Sequence, residues 1–111
     1  MRVKVIAPHP GEGKFPTFAK GTSVTMGDEC THFLHWYPCE IEKHETYVPE
    51  LFLCDGRLNR DYNPTELVAE VDDVLEVQKI VYAWLIATNK SGVTGWIPAE
   101  SVVSVNMFEK L

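Results

Sequence analysis

Residues 35–53 read HWYPCEIEKHETYVPELFL, and residues 83–103 read AWLIATNKSGVTGWIPAESVV. The two stretches match each other when Trp36 is placed on Trp84. The separation from tryptophan to proline is then 13 residues in the first stretch (36 to 49) and 14 in the second (84 to 98). The difference falls in the turn between two apolar segments, where β-proteins tolerate changes of length. The chain is therefore predicted to contain an internal repeat.

The repeat extends to both sides of these stretches. Residues 15–26 match residues 66–77, with three more residues in the loop before the first tryptophan than before the second. The seam between the copies is placed at Asp55-Gly56, a dipeptide typical of tight turns. The sequence thus predicts two domains, residues 1–54 and residues 55–111.

Both copies are expected to consist of β-strands. Segments rich in β-branched and aromatic residues recur along the chain, separated by turn residues such as those in GD, DG and NKSG. No long window has clean helical periodicity. Short strands at this spacing predict an all-β sandwich or small barrel. The predicted strands lie at 3–7, 23–26, 33–41, 46–53, 79–89 and 95–105.

Charge and cysteine content restrict the class of function. The net charge is −6 and the isoelectric point is about 5.1, which disfavours nucleic acids and anionic membranes as partners because both attract basic surfaces. No apolar run is long enough to span a membrane, and no secretory signal is evident. Three cysteines, an odd number, predict reduced thiols in a cytoplasmic protein rather than a disulfide framework.

The second copy resembles a Src-homology 3 (SH3) domain. RDY (60–62) corresponds to the aromatic opening of that family, with Arg60 where an aromatic is usual. ELVAEVDD (66–73) matches the acidic segment, WLIA (84–87) the tryptophan strand and GWIPAESV (95–102) the last conserved segment. One departure is Ser101, which stands where the family has a tyrosine in its ligand groove.

The first copy resembles the same family more loosely. FAKGT (18–22), WYPC (36–39) and TYVPELFL (46–53) match, and Phe52 keeps an aromatic at the position of Ser101. A unit of this size buries only roughly 60% of its unfolded surface and is marginal alone. The resemblance therefore implies two small SH3-like five-stranded barrels in tandem, closely docked.

The resemblance also implies a function and a site. SH3 domains are non-enzymatic modules that bind proline-rich peptides as polyproline II helices across aromatic ridges. Acidic residues beside the groove would favour a basic residue in the peptide. The implied aromatic and proline residues are Trp36, Pro49 and Phe52 in the first copy and Tyr62, Trp84 and Pro98 in the second. The implied acidic residues are Glu66, Glu70, Asp72 and Asp73.

The two grooves are not expected to be equal. Ser101 removes an aromatic wall from the second copy, which is predicted to weaken binding about tenfold. The first copy keeps its full set, so binding is predicted to depend more on Trp36 than on Trp84. A structural scaffold with both grooves blocked by the neighbouring repeat is the alternative.

A second alternative is a metal-binding or enzymatic protein that uses CTHFLHWYPC (30–39). The resemblance implies that Trp36 lies on the outer, groove side, and strand alternation then places His35, Tyr37 and Cys39 on the opposite face, with His35 and Cys39 pointing inward. The spacing of Cys30, His32, His35 and Cys39 does not match the paired spacing of common zinc sites. No catalytic arrangement is evident elsewhere. The sequence therefore predicts no cofactor, no metal and no enzymatic activity.

Overall fold

The computed structural model describes residues 1–11 and 13–105, and these residues form an all-β fold, as the sequence predicts. Within the described residues there are ten strands and two short 3-10 turns, and no helix is long and apolar enough to cross a membrane. The strands are β1 (Arg2–Val5), β2 (Thr25–Met26), β3 (Trp36–Ile41), β4 (His44–Pro49), β5 (Leu53–Cys54), β6 (Arg57–Leu58), β7 (Val74–Val81), β8 (Trp84–Thr88), β9 (Thr94–Pro98) and β10 (Val102–Ser104). The 3-10 turns are Glu50–Phe52 and Ala99–Ser101.

The chain divides into two compact units. Unit 1 is formed by Met1–Gly13 and Thr65–Leu111, and unit 2 by Lys14–Pro64. These boundaries differ from the predicted 1–54 and 55–111. The cause is β1, which pairs with β7 and β10 instead of with strands of its own half.

Unit 1 is a five-stranded antiparallel sheet in the order β10-β1-β7-β8-β9. In β1 the side chains alternate, so Val3 and Val5 point into the core while Arg2 and Lys4 face solvent. Burying a valine stabilises a fold by roughly 1.5–3 kcal/mol, which makes β1 an integral part of unit 1. The core comprises Val3, Val5, Leu67, Ala69, Leu75, Leu85, Ala87 and Ile97.

Charge pairs support the same position of β1. The Arg2 guanidinium lies 3.5 Å from the Glu76 carboxylate, and the Lys4 ammonium lies 3.3 Å from the Asp72 carboxylate. Exposed pairs of this kind contribute only about 0–1 kcal/mol each. They therefore favour this pairing without being its main source of stability.

Unit 2 contains a three-stranded sheet, β2-β3-β4, and the hairpin β5-β6. The turn between β3 and β4 is formed by Glu42 and Lys43, whose φ angles of 48° and 69° are typical of two-residue hairpin turns. The buried apolar residues of unit 2 are Phe18, Val24, Trp36, Cys39, Ile41, Val48, Phe52, Leu58 and Tyr62. The described strands thus form sheets of five, three and two strands, and two five-stranded barrels remain a prediction.

The Asp55-Gly56 turn is confirmed, but it is not the boundary between the units. Both residues have positive φ angles, 51° and 74°, and they join β5 directly to β6, with Cys54 opposite Arg57. The turn therefore lies inside unit 2. Its two-residue length keeps β6 beside β5.

The predicted strand over residues 79–89 is wrong in one respect. It is broken by a turn at Tyr82 and Ala83, whose φ angles are 44° and 69°. The first part belongs to β7 and the second forms β8. Neither turn residue is a glycine or asparagine, so the usual sequence signal for such a turn was missing.

Candidate functional site

The structure regroups the aromatic and proline residues of the predicted grooves. Tyr62, which the sequence assigned to the second copy, lies in unit 2 with the groove residues of the first copy. Trp84 and Pro98 lie in unit 1, where they face each other across β8 and β9. His9, which was not predicted to be a site residue, joins them.

In unit 2 the aromatic residues pack on one another. The rings of Phe52 and Tyr62 meet edge to face, with their centroids 5.4 Å apart. The Tyr62 hydroxyl donates a hydrogen bond of 2.6 Å to the carbonyl oxygen of Tyr47. The Arg60 guanidinium lies 4.3 Å from the centre of the Phe52 ring, a cation–π distance.

This packing leaves little of the predicted groove of unit 2 accessible. Trp36 is 4% exposed, and Phe52 and Tyr62 are each 3% exposed. Pro49 is also fully buried. The prediction that Trp36 points outward is therefore wrong.

The burial of Trp36 accompanies a loop that folds back on the start of β3. The Cys30 N–H donates to the carbonyl oxygen of Trp36 at 2.8 Å, and the Trp36 N–H donates to the carbonyl oxygen of Phe33 at 3.2 Å. The three extra residues of the first copy lie in this loop region. The resemblance from which the outward direction of Trp36 was expected does not include this longer loop.

In unit 1 the corresponding tryptophan remains partly accessible. Trp84 begins β8 and is partly exposed. The His9 ring meets the Trp84 ring edge to face, with centroids 5.8 Å apart and an interplanar angle of 72°. The two rings form the candidate site of unit 1.

His9 is fixed in place by oxygen atoms on both sides of its ring. Nδ1 lies 2.7 Å from the carbonyl oxygen of Leu67, and Nε2 lies 2.9 Å from a carboxylate oxygen of Glu66. The Leu67 carbonyl can only accept, so Nδ1–H is the donor of that hydrogen bond, and Nε2 faces the Glu66 carboxyl group. The His9 and Glu66 side chains are mostly buried, which orients His9 firmly against Trp84.

Sequence reasoning missed His9 because it sought a pair of tyrosines at the opening of the first copy. The backbone pairing in the structure relates His9 to Tyr62. The backbone of His9 pairs with Ala69, and the backbone of Tyr62 pairs with Phe18. His9 thus occupies in unit 1 the position that Tyr62 occupies in unit 2.

The predicted acidic residues have different surroundings. Glu66 is engaged by His9, and Asp72 lies in an exposed pair with Lys4. The Asp73 carboxylate accepts a 2.9 Å hydrogen bond from the Glu70 N–H and stabilises the local turn. Glu70 and Asp72 are exposed, so they are the acidic residues best placed to meet a solute.

The second 3-10 turn carries Ser101 at the position that Phe52 holds in unit 2. Ser101 is buried, and its carbonyl oxygen accepts a 2.8 Å hydrogen bond from the Ile6 N–H. No aromatic side chain therefore comes from this position in unit 1, as its sequence dictates.

The Cys/His segment does not converge on one point. Cys39 is buried, as predicted, but His35 is exposed and adopts a φ angle of 71°. The prediction that His35 points into the core is therefore wrong. Within residues 1–11 and 13–105, no three His, Cys, Asp or Glu residues are grouped so that they could hold a metal ion.

The thiol chemistry agrees with this geometry. Burial raises the pKa of Cys39 to about 12. Burial, and then the neighbouring Glu29 carboxylate, raise the pKa of Cys30. The thiolate is the form that attacks electrophiles and binds metals, so both cysteines are poorly suited to either role at neutral pH.

Comparison with protein-family models, with curated proteins and with solved structures gives no match for this chain.

Proposed function

We propose that this protein is a non-enzymatic, cytoplasmic protein-interaction module of two SH3-like units that binds a proline-rich or extended basic peptide. Two features of unit 1 support an SH3-like assignment. Its first strand lies between its last and its second, in the order β10-β1-β7-β8-β9, which resembles the SH3 order. A 3-10 turn precedes the last strand, as in that family.

The observation that carries the proposal is the partial exposure of Trp84 beside His9. A polyproline II peptide requires an accessible aromatic ridge, and Trp84 offers one next to the apolar body of the His9 ring. Trp36 is only 4% exposed. We therefore place the binding site in unit 1 and reverse the ranking expected from the sequence.

The acidic residues of unit 1 give the site a modest preference for basic peptides. Glu70 is exposed, and so is Asp72 in its surface pair with Lys4, whereas Glu66 is mostly buried in its pair with His9. An exposed carboxylate contributes about 0–1 kcal/mol to a charge pair, and salt screens it. The aromatic ridge supplies the rest of the affinity, and charge adjusts selectivity.

The test is a titration of the full chain with two synthetic decapeptides, one rich in proline with a terminal arginine and one with its prolines replaced by alanine. Trp84→Ala should weaken binding of the first peptide about tenfold or more, because the lost apolar contact is worth about 1–2 kcal/mol. The proline-free peptide should bind weakly to every variant.

Ile80→Ala is the matched control, since Ile80 is also an exposed apolar residue of unit 1 (57% exposed). It should leave the affinity unchanged. Circular dichroism establishes that each variant is folded. Equal binding by the parent and Trp84→Ala, or equal binding of both peptides, would contradict the proposal.

The packing of unit 2 favours a structural role for that unit. The Phe52 and Tyr62 rings pack against each other, and the Tyr62 hydroxyl is hydrogen-bonded within the unit. Buried aromatic residues of this kind stabilise a fold and do not contact a ligand. If neither peptide binds at all, the scaffold becomes the better proposal for the whole chain.

A further inference from the structure

The two units are closed by matching backbone hydrogen bonds. In unit 2, Phe18 and Tyr62 exchange two bonds, of 2.8 and 2.9 Å. In unit 1, Ala69 and His9 exchange two bonds of the same lengths. Phe18 and Ala69 are repeat partners, since they are 51 residues apart (18 to 69), like the segments 15–26 and 66–77.

The same correspondence continues along the chain. The Leu58 N–H donates to Thr22 O at 2.9 Å, and the Val5 N–H donates to Asp73 O at 2.9 Å. Thr22 and Asp73 are again 51 residues apart (22 to 73). Leu58 stands 53 residues after Val5 (5 to 58), as Tyr62 does after His9 (9 to 62).

A third pair of bonds lies at the 3-10 turns. The Asn59 N–H donates to Phe52 O, and the Ile6 N–H donates to Ser101 O, both at 2.8 Å. Residues at the start of one repeat thus make the same bonds with the rest of the other repeat in both units. The first segment of each repeat is found in the unit formed mainly by the other.

We propose that the protein is a tandem repeat whose two first segments have been exchanged within one chain. Residues 1–13 close the body formed by residues 65–105, and residues 55–64 close the body formed by residues 14–54. The boundary near residue 54 then divides the two repeats in the sequence. The boundaries near residues 13 and 64 divide the two packed units. The two descriptions are compatible.

The cause of the exchange is the turn at the seam. Asp55 and Gly56 form a two-residue turn, so the strand that opens the second repeat cannot leave the strand that ends the first. Residues 57–58 therefore occupy the place that the first segment would otherwise take. Residues 1–13 then pair with residues 65–105, whose β7 and β10 would otherwise lack a strand between them.

Charge favours the same outcome. Lys4 and Arg2 meet Asp72 and Glu76 in unit 1. At the repeat partners of these carboxylates, 51 residues earlier, unit 2 has Gly21 and Thr25. The basic residues of β1 would lose both exposed pairs if β1 closed its own repeat.

The register of the strands provides a direct test by disulfide formation. Lys4 lies opposite Val103, and Arg57 lies opposite Cys54. Val103 and Cys54 are repeat partners, 49 residues apart (54 to 103). Without exchange, Lys4 would instead lie opposite Cys54. Directly opposed residues on antiparallel strands have Cα atoms about 4.5–5.5 Å apart, within the range that a disulfide bridges.

Three variants of the full chain, all carrying Cys30→Ser and Cys39→Ala, separate the possibilities. The first adds Lys4→Cys, Val103→Cys and Cys54→Ser. The second adds only Lys4→Cys and keeps Cys54. The third adds only Arg57→Cys and keeps Cys54. Each is oxidised with glutathione disulfide at low protein concentration, and the bond is located by mass spectrometry of the digested protein.

Exchange within one chain predicts a disulfide inside the monomer in the first and third variants, formed at least tenfold faster than in the second. A disulfide in the second variant but not the first would show that β1 closes its own repeat. Covalent dimers of the first variant, at twice the 12.6 kDa chain mass, would place the exchange between copies. Failure of the first variant to form a bond inside the monomer, while the third variant forms one under the same conditions, would also overturn the proposal.

Discussion

Units 1 and 2 have the same closing hydrogen bonds but different side chains at the matched positions, and their tryptophans differ in exposure. Unit 2 has Tyr62 and Phe52, which pack against each other. Unit 1 has His9 and Ser101 at these positions. Trp84 is partly exposed in unit 1, whereas Trp36 is buried in unit 2. A shared backbone frame therefore does not imply a shared function.

The largest expected effect concerns the matched pair Phe18 and Ala69. Phe18 is 1% exposed, so Phe18→Ala should lower the free energy of unfolding by about 3–5 kcal/mol through lost burial and a residual cavity. The reciprocal Ala69→Phe should lower it by about 1–3 kcal/mol through overpacking. Urea unfolding measures both. A loss below about 1 kcal/mol for Phe18→Ala would mean that unit 2 tolerates the smaller residue as unit 1 does.

The next effect concerns Gly95 and its counterpart Thr46, which lie opposite Ala87 and Cys39 respectively. A Cβ atom on Gly95 would lie 2.8 Å from the Leu67 backbone nitrogen. Gly95→Ala should therefore displace the segment that holds Glu66 against His9, at a cost of about 1–3 kcal/mol, and weaken peptide binding. Thermal unfolding and peptide titration measure the two effects.

Gly92→Ala is a poor control for this change because Gly92 has a positive φ angle. Thr46→Ser, which keeps a side chain at the matched position of unit 2, is the better one and should leave peptide binding intact. Full binding by Gly95→Ala would show that the close approach at Leu67 does not matter for the site.

The free energy of unfolding should depend on pH through Cys39 of unit 2, whereas Ala87, at the matched position of unit 1, has no group that titrates. The pKa of Cys39 is raised to about 12 by burial, above the value of 9.0 for an ordinary thiol. The unfolded chain therefore releases this proton first as the pH rises above 9, and stability should fall by up to about 1.4 kcal/mol per pH unit up to about pH 12. This contribution is fully present below pH 9.

Cys39→Ala gives unit 2 the residue that unit 1 has and should reduce this slope. Urea unfolding of both proteins between pH 8 and 10.5, in the presence of a reductant, measures the difference. Cys54→Ala, which replaces an exposed thiol, is the control. Identical slopes for the parent and Cys39→Ala would refute the prediction.

The smallest effect concerns the hydroxyl of Tyr62. Tyr62→Phe removes the 2.6 Å hydrogen bond to Tyr47 O but keeps the ring contact with Phe52. The expected loss is about 1 kcal/mol of unfolding free energy, with no change in peptide affinity if the site lies in unit 1. If Tyr62→Phe clearly lowered the peptide affinity, the binding site would lie in unit 2 instead.

Much of the local structure could be predicted from the sequence. The aligned prolines Pro49 and Pro98 both precede a 3-10 turn. Cys39 and Ala87 are both small buried residues, and Val48 and Ile97 are both fully buried. These features depend on local patterning, which is similar in the two aligned stretches of sequence.

The exchange could not be read from the same patterns. The matching stretches of sequence indicate which segments resemble each other. They do not indicate whether the first segment of a repeat closes the body of its own repeat or that of the other, because the backbone bonds would be equivalent in both cases. The proposed exchange depends on the length of the Asp55-Gly56 turn. From the sequence this turn was expected only to mark the boundary between the two copies. His9 was missed for a related reason, since its role depends on Leu67 and Glu66, which are distant in sequence.

The pairing of β1 with β10 has a consequence for the order of folding. Val3 lies opposite Ser104, so β1 is synthesised about a hundred residues before the strand with which it pairs. Unit 2 is one continuous segment, Lys14–Pro64, so all of its residues leave the ribosome before those of β7 do. We expect unit 2 to fold first, because contacts distant in sequence are slow to form. Until β7 and β10 join it, β1 has both edges unpaired, and an unpaired strand is open to chaperones and to aggregation.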